Sequence, residues 1–136
     1  MIQKQSEIDN RLFEIKSWYQ QYFQLCGFCF HSVKGPGELA HLVRRSYSRE
    51  LQTNKLNLVL CHHECHYIFD NDYQGAVYLP RALEILYIIW LLSPDYFSLI
   101  APHFEQLSDA IAQFPDVEYR DIEHHGQILQ LNYLYQ

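Results

Sequence analysis

The sequence predicts an α+β fold in which a small cysteine-rich core follows an N-terminal helix and precedes a helical extension. Three observations support this. Apolar residues recur at helical spacing near the N-terminus, two cysteine clusters enclose a turn-rich segment, and the second half holds apolar stretches interrupted by prolines. With 136 residues the chain has the length of one domain. We divide it into an N-terminal helix (1–24), a cysteine-rich core (25–75) and a helical extension (76–136).

The first helix is predicted over residues 6–24, with Ser6 as its N-cap, because apolar side chains there recur every three or four residues. After a tight knuckle at residues 25–29, residues 30–43 have the pattern of two short strands joined by a turn at Lys34–Gly37. The segment therefore predicts a β-hairpin inside the core.

The core closes with a short extended segment at residues 57–60 and a helix from Cys61 to about Asp72. In the extension, Pro80 is expected to open a helix that runs to Leu92. Beyond it we expect a helix capped by Ser93-Pro94, a helix from Pro102 to Phe114, and a strand near the C-terminus where apolar residues alternate at 129–135.

Composition and hydropathy favour a folded cytoplasmic protein. Hydrophobic residues make up 49% of the chain, which excludes a disordered polypeptide. The longest apolar run, Ala76–Leu92, contains Pro80, Arg81 and Glu84, so it predicts a buried helix and no membrane span. No charged segment precedes an apolar one at the N-terminus, so we expect no signal peptide and a location in the cytoplasm, or in the host cytoplasm if a phage encodes the chain.

The formal charge of −6 is unevenly distributed. Residues 31–56 carry five basic side chains and two acidic ones, whereas residues 57–136 carry two basic and eleven acidic side chains. Because phosphate groups require local positive potential, only the 31–56 segment offers a surface for nucleic acid.

The four cysteines are grouped as metal ligands are. Cys26 and Cys29 form a C-x2-C pair, and Cys61 and Cys65 lie in a second cluster near the start of a predicted helix. In a reducing compartment such cysteines bind zinc more often than they form disulfides. Zinc prefers four sulfur or imidazole ligands in a tetrahedron, and its binding contributes directly to the folding of a small core.

The segment between the cysteine pairs, and the helix that follows it, resemble the HNH (ββα-metal) nuclease family, especially its small bacteriophage members. The similarity covers residues 25–72 and rests on three motifs: ELAHLVRRS (38–46), NLVL (57–60) and CHYIFD (65–70). It implies a zinc-stapled ββα-metal core, treble-clef-like in its arrangement. It also implies an endonuclease that hydrolyses phosphodiester bonds of DNA with a catalytic Mg²⁺ or Mn²⁺ and a structural zinc.

The resemblance implies a role for each matching residue. His41 would be the general base that takes a proton from the attacking water. Asn57 would be the middle asparagine of the motif, which braces a loop of the catalytic core. His66 would be a ligand of the catalytic ion, and Asp70, four residues later on the same helix face, would be a second ligand suited to Mg²⁺ or Mn²⁺.

Two further expectations concern phosphate binding and the ligands of the catalytic ion. Arg44 or Arg45 could hold a phosphate by a bidentate contact, or could be surface residues. The family commonly has Asp or His immediately before the general base, and Ala40 occupies that position here. Glu38 is on the same side of the strand as Ala40, so it could supply the missing ligand.

The zinc ligand set can be read in two ways. Counted from Asn57, the positions that the family uses fall on His62 and Cys65, which preserves the x2 spacing, whereas Cys61 and Cys65 would give a four-cysteine site. We favour the first reading, with Cys61 in the core, and the favoured set is Cys26, Cys29, His62 and Cys65.

One alternative function, the oligomeric state and one histidine pair remain open at the level of the sequence. The chain could be a catalytically inactive zinc-stapled module that binds nucleic acid or protein, which Ala40 and the acidic second half favour. A homodimer is also expected, because a small domain cannot cover the apolar stretch Leu83–Leu92 completely. The pair His124-His125 is interpreted as a helix end or turn, with a second metal site as the minor reading.

Overall fold

The computed structural model describes residues 4–117 as helices around a two-stranded antiparallel sheet. The predicted strand at 129–135 and the pair His124-His125 lie outside the described residues. Three 3₁₀ segments, at Lys55–Asn57, Ala101–Leu107 and Phe114–Asp116, accompany the regular elements. The regular elements in chain order are α1 (Gln5–Tyr22), β1 (Glu38–His41), β2 (Leu58–Cys61), α2 (His63–Asn71), α3 (Tyr73–Ala76), α4 (Ala82–Leu92), α5 (Pro94–Ile100) and α6 (Ser108–Ile111).

Helix α1 forms because one of its faces is apolar and packs on the sheet. Ile15 and Tyr19 are completely buried, and the Tyr19 hydroxyl donates a 2.8 Å hydrogen bond to the carbonyl oxygen of Leu58 in β2. The predicted N-cap at Ser6 is wrong. The cap is Lys4, whose backbone N–H donates to the Glu7 carboxylate at 3.4 Å, so Ser6 lies within the first turn of the helix.

The sheet differs from the predicted hairpin in its pairing. β1 pairs with β2, and the register aligns Glu38 with Cys61 and His41 with Leu58. The residues before the turn form only an isolated bridge, between Leu25 and Ser32. The reason is burial: all four residues of β2 are buried, so β1 gains more by pairing with this apolar strand than with the polar arm at 31–34.

The turn that precedes β1 depends on glycine. Gly35 and Gly37 have φ angles of +81° and +67°, a region that other residues occupy at a cost. At Gly37 a Cβ atom would also lie 2.8 Å from Val33 Cγ1 and 3.0 Å from Leu60 Cδ1. The chain therefore needs glycine at position 37 to bring β1 alongside β2.

The extension contains the two predicted helices α4 and α5, but α4 begins at Ala82, with Arg81 as its N-cap, and Pro80 lies before the cap. α4 ends at Leu92 and Ser93 caps α5, its hydroxyl accepting a hydrogen bond from the Tyr96 N–H. The single helix expected from Pro102 to Phe114 is wrong. Phe104 has non-helical angles (φ −120°, ψ 40°), and its ring is buried against Tyr73, so packing of this ring interrupts the helix.

Helix α4 is mostly covered by the chain itself. Six of its eleven residues are buried, and five of these belong to the same core as α1, the sheet and α5. Leu91 and Leu99 are exposed apolar side chains of this half, at 47% and 61%. Leu91 therefore stays uncovered within residues 4–117, and the homodimer stays a prediction.

None of the helices within residues 4–117 combines the length and the apolar character needed to cross a membrane.

Candidate functional site

A Cys/His cluster joins the knuckle after α1 to the start of α2. One ligand atom from each of four residues lies within 4.8 Å of the other three, and within residues 4–117 this is the one group of at least three such residues so arranged. The His62 Nδ1 atom is 3.4 Å from Cys29 Sγ and 3.9 Å from Cys65 Sγ. The four residues are Cys26, Cys29, His62 and Cys65.

These separations fit a tetrahedral zinc ion. Zn–S and Zn–N distances of about 2.3 and 2.0 Å place tetrahedral ligand atoms about 3.5–3.8 Å apart. The His62 Nε2–H group donates to the Ser32 carbonyl oxygen at 2.9 Å, which leaves the Nδ1 lone pair directed toward the sulfurs. The cluster can therefore hold a structural metal such as zinc with three thiolates and one imidazole.

The backbone of the knuckle prepares Cys26 to act as a thiolate. Burial raises the pKa of its thiol, but hydrogen bonds from the backbone at Cys29, His62 and Phe28 outweigh that effect, so the pKa lies below its usual value. The Phe28 N–H lies 3.4 Å from Cys26 Sγ, and the Gly27 N–H donates to Leu60 O at 2.8 Å. The knuckle is thus both attached to β2 and electrostatically suited to a metal ligand.

Cys61 lies outside this cluster. It is the last residue of β2, is completely buried, and its thiol lies 3.5 Å from the Glu38 carbonyl oxygen. Burial is the main reason why the pKa of its thiol lies well above the usual value. The structure therefore places Cys61 in the core, as the spacing argument expected, and the predicted helix start at Cys61 is corrected to His63.

A ligand-exchange prediction follows from this geometry. His62→Ala is expected to weaken zinc binding far more than Cys61→Ser, because only His62 directs a lone pair into the cluster. The measurement is competition for zinc with a colorimetric chelator. A Cys61→Ser protein that loses zinc, beside a His62→Ala protein that retains it, would restore the four-cysteine set.

A second group of polar side chains lines a cavity of about 550 Å³ between α1, β1 and α2. This volume is in the range of small-ligand sites. Its wall combines two histidines, one carboxylate and three cations with apolar side chains from α1 and β1. The lining residues are Leu12, Phe13, Lys16, Leu39, His41, Arg44, Arg45, Ser46, His66 and Asp70.

His41 lies at the end of β1, and one of its ring nitrogens is fixed. Its Nε2–H group donates to the Gln52 carbonyl oxygen at 2.9 Å, so Nδ1 is the nitrogen with a lone pair. Burial, reinforced by Arg45 and His66, lowers the pKa of His41 below its usual value and outweighs the hydrogen bond to Gln52. The imidazole is therefore neutral near pH 7 and can accept a proton at Nδ1.

His66 lies between two carboxylates. Its Nδ1 atom is 2.8 Å from Glu38 Oε1, and its Nε2 atom is 3.0 Å from Asp70 Oδ2. Hydrogen bonding to Asp70 is the main cause of a raised pKa at His66, with Glu38 adding to it against the effect of burial. The other Glu38 oxygen is 2.8 Å from Nδ1 of His63, an exposed side chain of the same helix.

Glu38 and Asp70 lie at opposite ring nitrogens of His66, Glu38 at Nδ1 and Asp70 at Nε2, so the three side chains do not converge on one point. Ala40, at the position where the family has a ligand, is completely buried in the hydrophobic core. An acidic side chain at position 40 would therefore enter the core, and Glu38 is the residue of β1 that reaches His66.

Asn57 is buried and braces the loop between β1 and β2. Its Oδ1 atom accepts a 2.7 Å hydrogen bond from the Val43 N–H, and its amide donates at 3.1 Å to the carbonyl oxygens of Val43 and Leu51. Arg44 donates to the Asp70 carbonyl oxygen and so attaches the same loop to α2. These contacts hold the loop that carries Arg44 and Arg45 at the edge of the cavity.

The Asn57 contacts predict a large loss of stability on truncation. Asn57→Ala leaves the buried N–H and carbonyl groups of Val43 without their Asn57 partners and removes one of the two hydrogen bonds to the Leu51 carbonyl oxygen. We expect this to cost about 2–4 kcal/mol in the free energy of unfolding. Urea unfolding measures the change. Asn71→Ala is the matched control, since Asn71 is exposed and donates one hydrogen bond within α2, so its effect stays below about 1 kcal/mol. Equal losses in the two variants would refute the bracing role.

Sequence reasoning missed the α1 wall of this cavity and the group that orients His41. Leu12, Phe13 and Lys16 of α1 line the cavity, although the resemblance begins only at residue 25. The backbone carbonyl of Gln52 orients His41, and a backbone acceptor leaves no signal in the side-chain sequence. The spacing of Phe13 and Lys16, three residues apart on a helix, is the one signal that could have placed both on a common face.

Comparisons of the chain with protein-family models, with curated proteins and with solved structures gave no match.

Proposed function

We propose that the chain is a metal-dependent endonuclease of the HNH type that hydrolyses phosphodiester bonds of DNA. The observation that carries the proposal is one cavity with His41 from β1 and His66 from α2 on its walls, together with Asp70 and two arginines. A base, a candidate cation ligand and phosphate-binding groups on one surface are the parts that hydrolysis of a phosphodiester requires.

His41 is the general base of the proposed reaction. With Nε2–H donated to the Gln52 carbonyl oxygen, Nδ1 is the nitrogen that takes the proton from the attacking water. The hydroxide formed attacks phosphorus, and the bond to the leaving oxygen breaks to give a nicked strand. The lowered pKa of His41 keeps this base unprotonated at neutral pH.

His66 Nε2 and Asp70 would hold the catalytic divalent ion, and Glu38, at the opposite ring nitrogen Nδ1, would orient the imidazole. Carboxylate oxygens beside an imidazole suit Mg²⁺ or Mn²⁺. When bound, such an ion stabilises the negative charge on the scissile phosphate and the leaving oxygen. The Cys/His cluster has a separate role and would hold a structural zinc.

Arg45 is the better candidate for the phosphate contact. Arg44 already donates to the Asp70 carbonyl oxygen, whereas Arg45 is exposed at the rim of the same cavity. A guanidinium group can donate two parallel hydrogen bonds to a phosphate. DNA is thus the proposed partner, and the contact region is the basic segment 31–56.

The experiment that tests this function is incubation of supercoiled plasmid with zinc-loaded protein and Mg²⁺, Mn²⁺, Ni²⁺ or Co²⁺. We expect open circles to form only when a divalent cation is added. A protein that leaves plasmid, single-stranded DNA and RNA intact with all four cations is not a nuclease.

A second candidate function is a zinc-stapled module that binds nucleic acid without cutting it. One observation favours it: Ala40 lies in the core, and within residues 4–117 the Cys/His cluster is the one close group of three or more candidate ligands. The cavity would then bind a catalytic ion weakly. Retarded mobility of DNA without cleavage at any cation concentration is the outcome that selects this function.

A further inference from the structure

Helix α1 contributes an exposed aromatic ring to the cavity. Phe13 has 74% of its surface exposed, although Phe28 and Phe104 of the same chain are 1% exposed. An aromatic ring left in water forgoes the free energy that its burial would supply. Phe13 nonetheless lines the cavity that holds His41 and His66, so its position coincides with the proposed site.

The surroundings of Phe13 carry positive charge. Lys16, one turn further along α1, lines the same wall, and Arg44 and Arg45 line it from the loop after β1. Asp70 is the acidic side chain of the lining, so cations outnumber carboxylates three to one there, in a chain whose formal charge is −6. An anionic ligand is therefore attracted to this cavity in preference to the remainder of the surface.

A flat apolar ring beside several cations is the composition of sites that bind single-stranded nucleic acid. There, bases stack on aromatic rings while the phosphates follow basic side chains. In a duplex, each base is covered on both faces by its neighbours in the stack, so no base face is free to stack on an aromatic side chain of the protein. An unpaired base, at a gap, a flap or a single strand, offers that face.

We propose that the cavity binds an unpaired nucleotide whose base stacks on Phe13 while Lys16 and Arg45 hold the adjoining phosphates. The inference rests on the proposed function for the identity of the phosphate-bearing ligand and narrows its substrate class to DNA with unpaired bases. Phe13 is a positioning residue in this arrangement, because it holds the strand and does not contact the reacting atoms.

The test compares two fluorescein-labelled strands of about twelve nucleotides, a length that spans a typical single-strand site. One is oligothymidylate and the other is an abasic strand with the same phosphates. Anisotropy is measured with no divalent cation added, so that hydrolysis does not contribute. We expect wild-type protein to bind the thymidylate strand about tenfold more tightly than the abasic strand.

The variants separate stacking from charge. Phe13→Ala is expected to bind both strands equally, at the affinity of wild type for the abasic strand, whereas Phe13→Trp keeps the preference. Lys16→Ala is expected to weaken both strands by the same factor and to reduce the salt dependence. Tyr78→Ala is the matched control, because Tyr78 is 78% exposed but does not line the cavity, and it keeps wild-type binding.

Equal binding of the two strands by wild type would overturn the inference, as would an unchanged preference in Phe13→Ala. These outcomes are distinct from failure of the proposed function. A protein that prefers the thymidylate strand through Phe13 but never cuts retains the inference and loses the nuclease. One that cuts plasmid while Phe13→Ala keeps the wild-type preference loses the inference alone.

Discussion

Cys65→Ala is expected to release zinc and to unfold the core between residues 25 and 72. Cys65 lies on the first turn of α2, and the cluster joins this helix to the knuckle at Cys26–Cys29. Structural zinc typically contributes on the order of 10 kcal/mol or more of apparent binding free energy. This is comparable with the whole net stability of a small domain, about 5–15 kcal/mol. Elemental analysis and thermal unfolding followed by circular dichroism measure the two effects.

Cys61→Ala is the control for loss of a cysteine side chain. Cys61 is buried next to the cluster but is not part of it, so this variant should keep one zinc per chain and lose only about 1–3 kcal/mol from the small cavity. Two results together would contradict the zinc site: wild-type protein that purifies without zinc, and a Cys65→Ala protein with the wild-type melting temperature. They would show that the three thiols and the imidazole of the cluster pack together without a metal.

His41→Ala is expected to lower the rate of plasmid nicking by about 10²–10⁴-fold, the usual contribution of a positioned general base. Zinc content and melting temperature should stay near their wild-type values, because His41 lies outside the Cys/His cluster and makes one hydrogen bond, to the Gln52 backbone. The nicking rate with saturating Mg²⁺ is the quantity to compare.

His103→Ala is the matched control for this loss. His103 is an exposed histidine that stacks on Tyr73, and it does not line the cavity. Its removal should leave the nicking rate within about twofold of wild type, as expected for a surface substitution away from the site. A His41→Ala protein that nicks plasmid as fast as His103→Ala would remove His41 from the mechanism.

The ligands of the Cys/His cluster could be identified from the sequence because each pair of ligands forms a short local pattern. Two ligands lie in a C-x2-C pair, and the x2 spacing from His62 to Cys65 places both at the start of one helix. The resemblance singled out Asn57 as a residue that braces the loop between strand and helix, whereas its contacts with Val43 brace the loop between β1 and β2. The meeting of the two ligand pairs, about thirty residues apart in the chain, likewise depends on tertiary packing.

Neither the pairing of β1 with β2 nor the break in the helix expected from Pro102 to Phe114 could be predicted, because both depend on contacts between distant residues. β1 has its partner about twenty residues later, at Leu58–Cys61, and the burial of that strand under α1 decided the pairing. The helix expected from Pro102 breaks at Phe104, whose ring packs on Tyr73 of α3. A helical pattern in the sequence carries no information on such a contact.

The cavity was predicted in part. His41, His66, Asp70 and the arginines come from the recognised motifs and do line one cavity. Its α1 wall was not anticipated, because Phe13 and Lys16 precede the motifs by more than twenty residues and reach the site only through the packing of α1 on the sheet. The carboxylate partner Glu38 was considered from strand alternation, and its contact with His66 became visible only in three dimensions.

In the proposed reaction His41 acts as the base, whereas His66 acts through a divalent cation. The rate of plasmid nicking by His41→Ala and His66→Ala, measured as Mn²⁺ is raised, distinguishes these two roles. We expect high Mn²⁺ to restore part of the activity of His66→Ala, because mass action offsets a weakened site, and His41→Ala to stay inactive throughout. Recovery of the wild-type rate by His41→Ala at any Mn²⁺ concentration would contradict the role of His41 as the base.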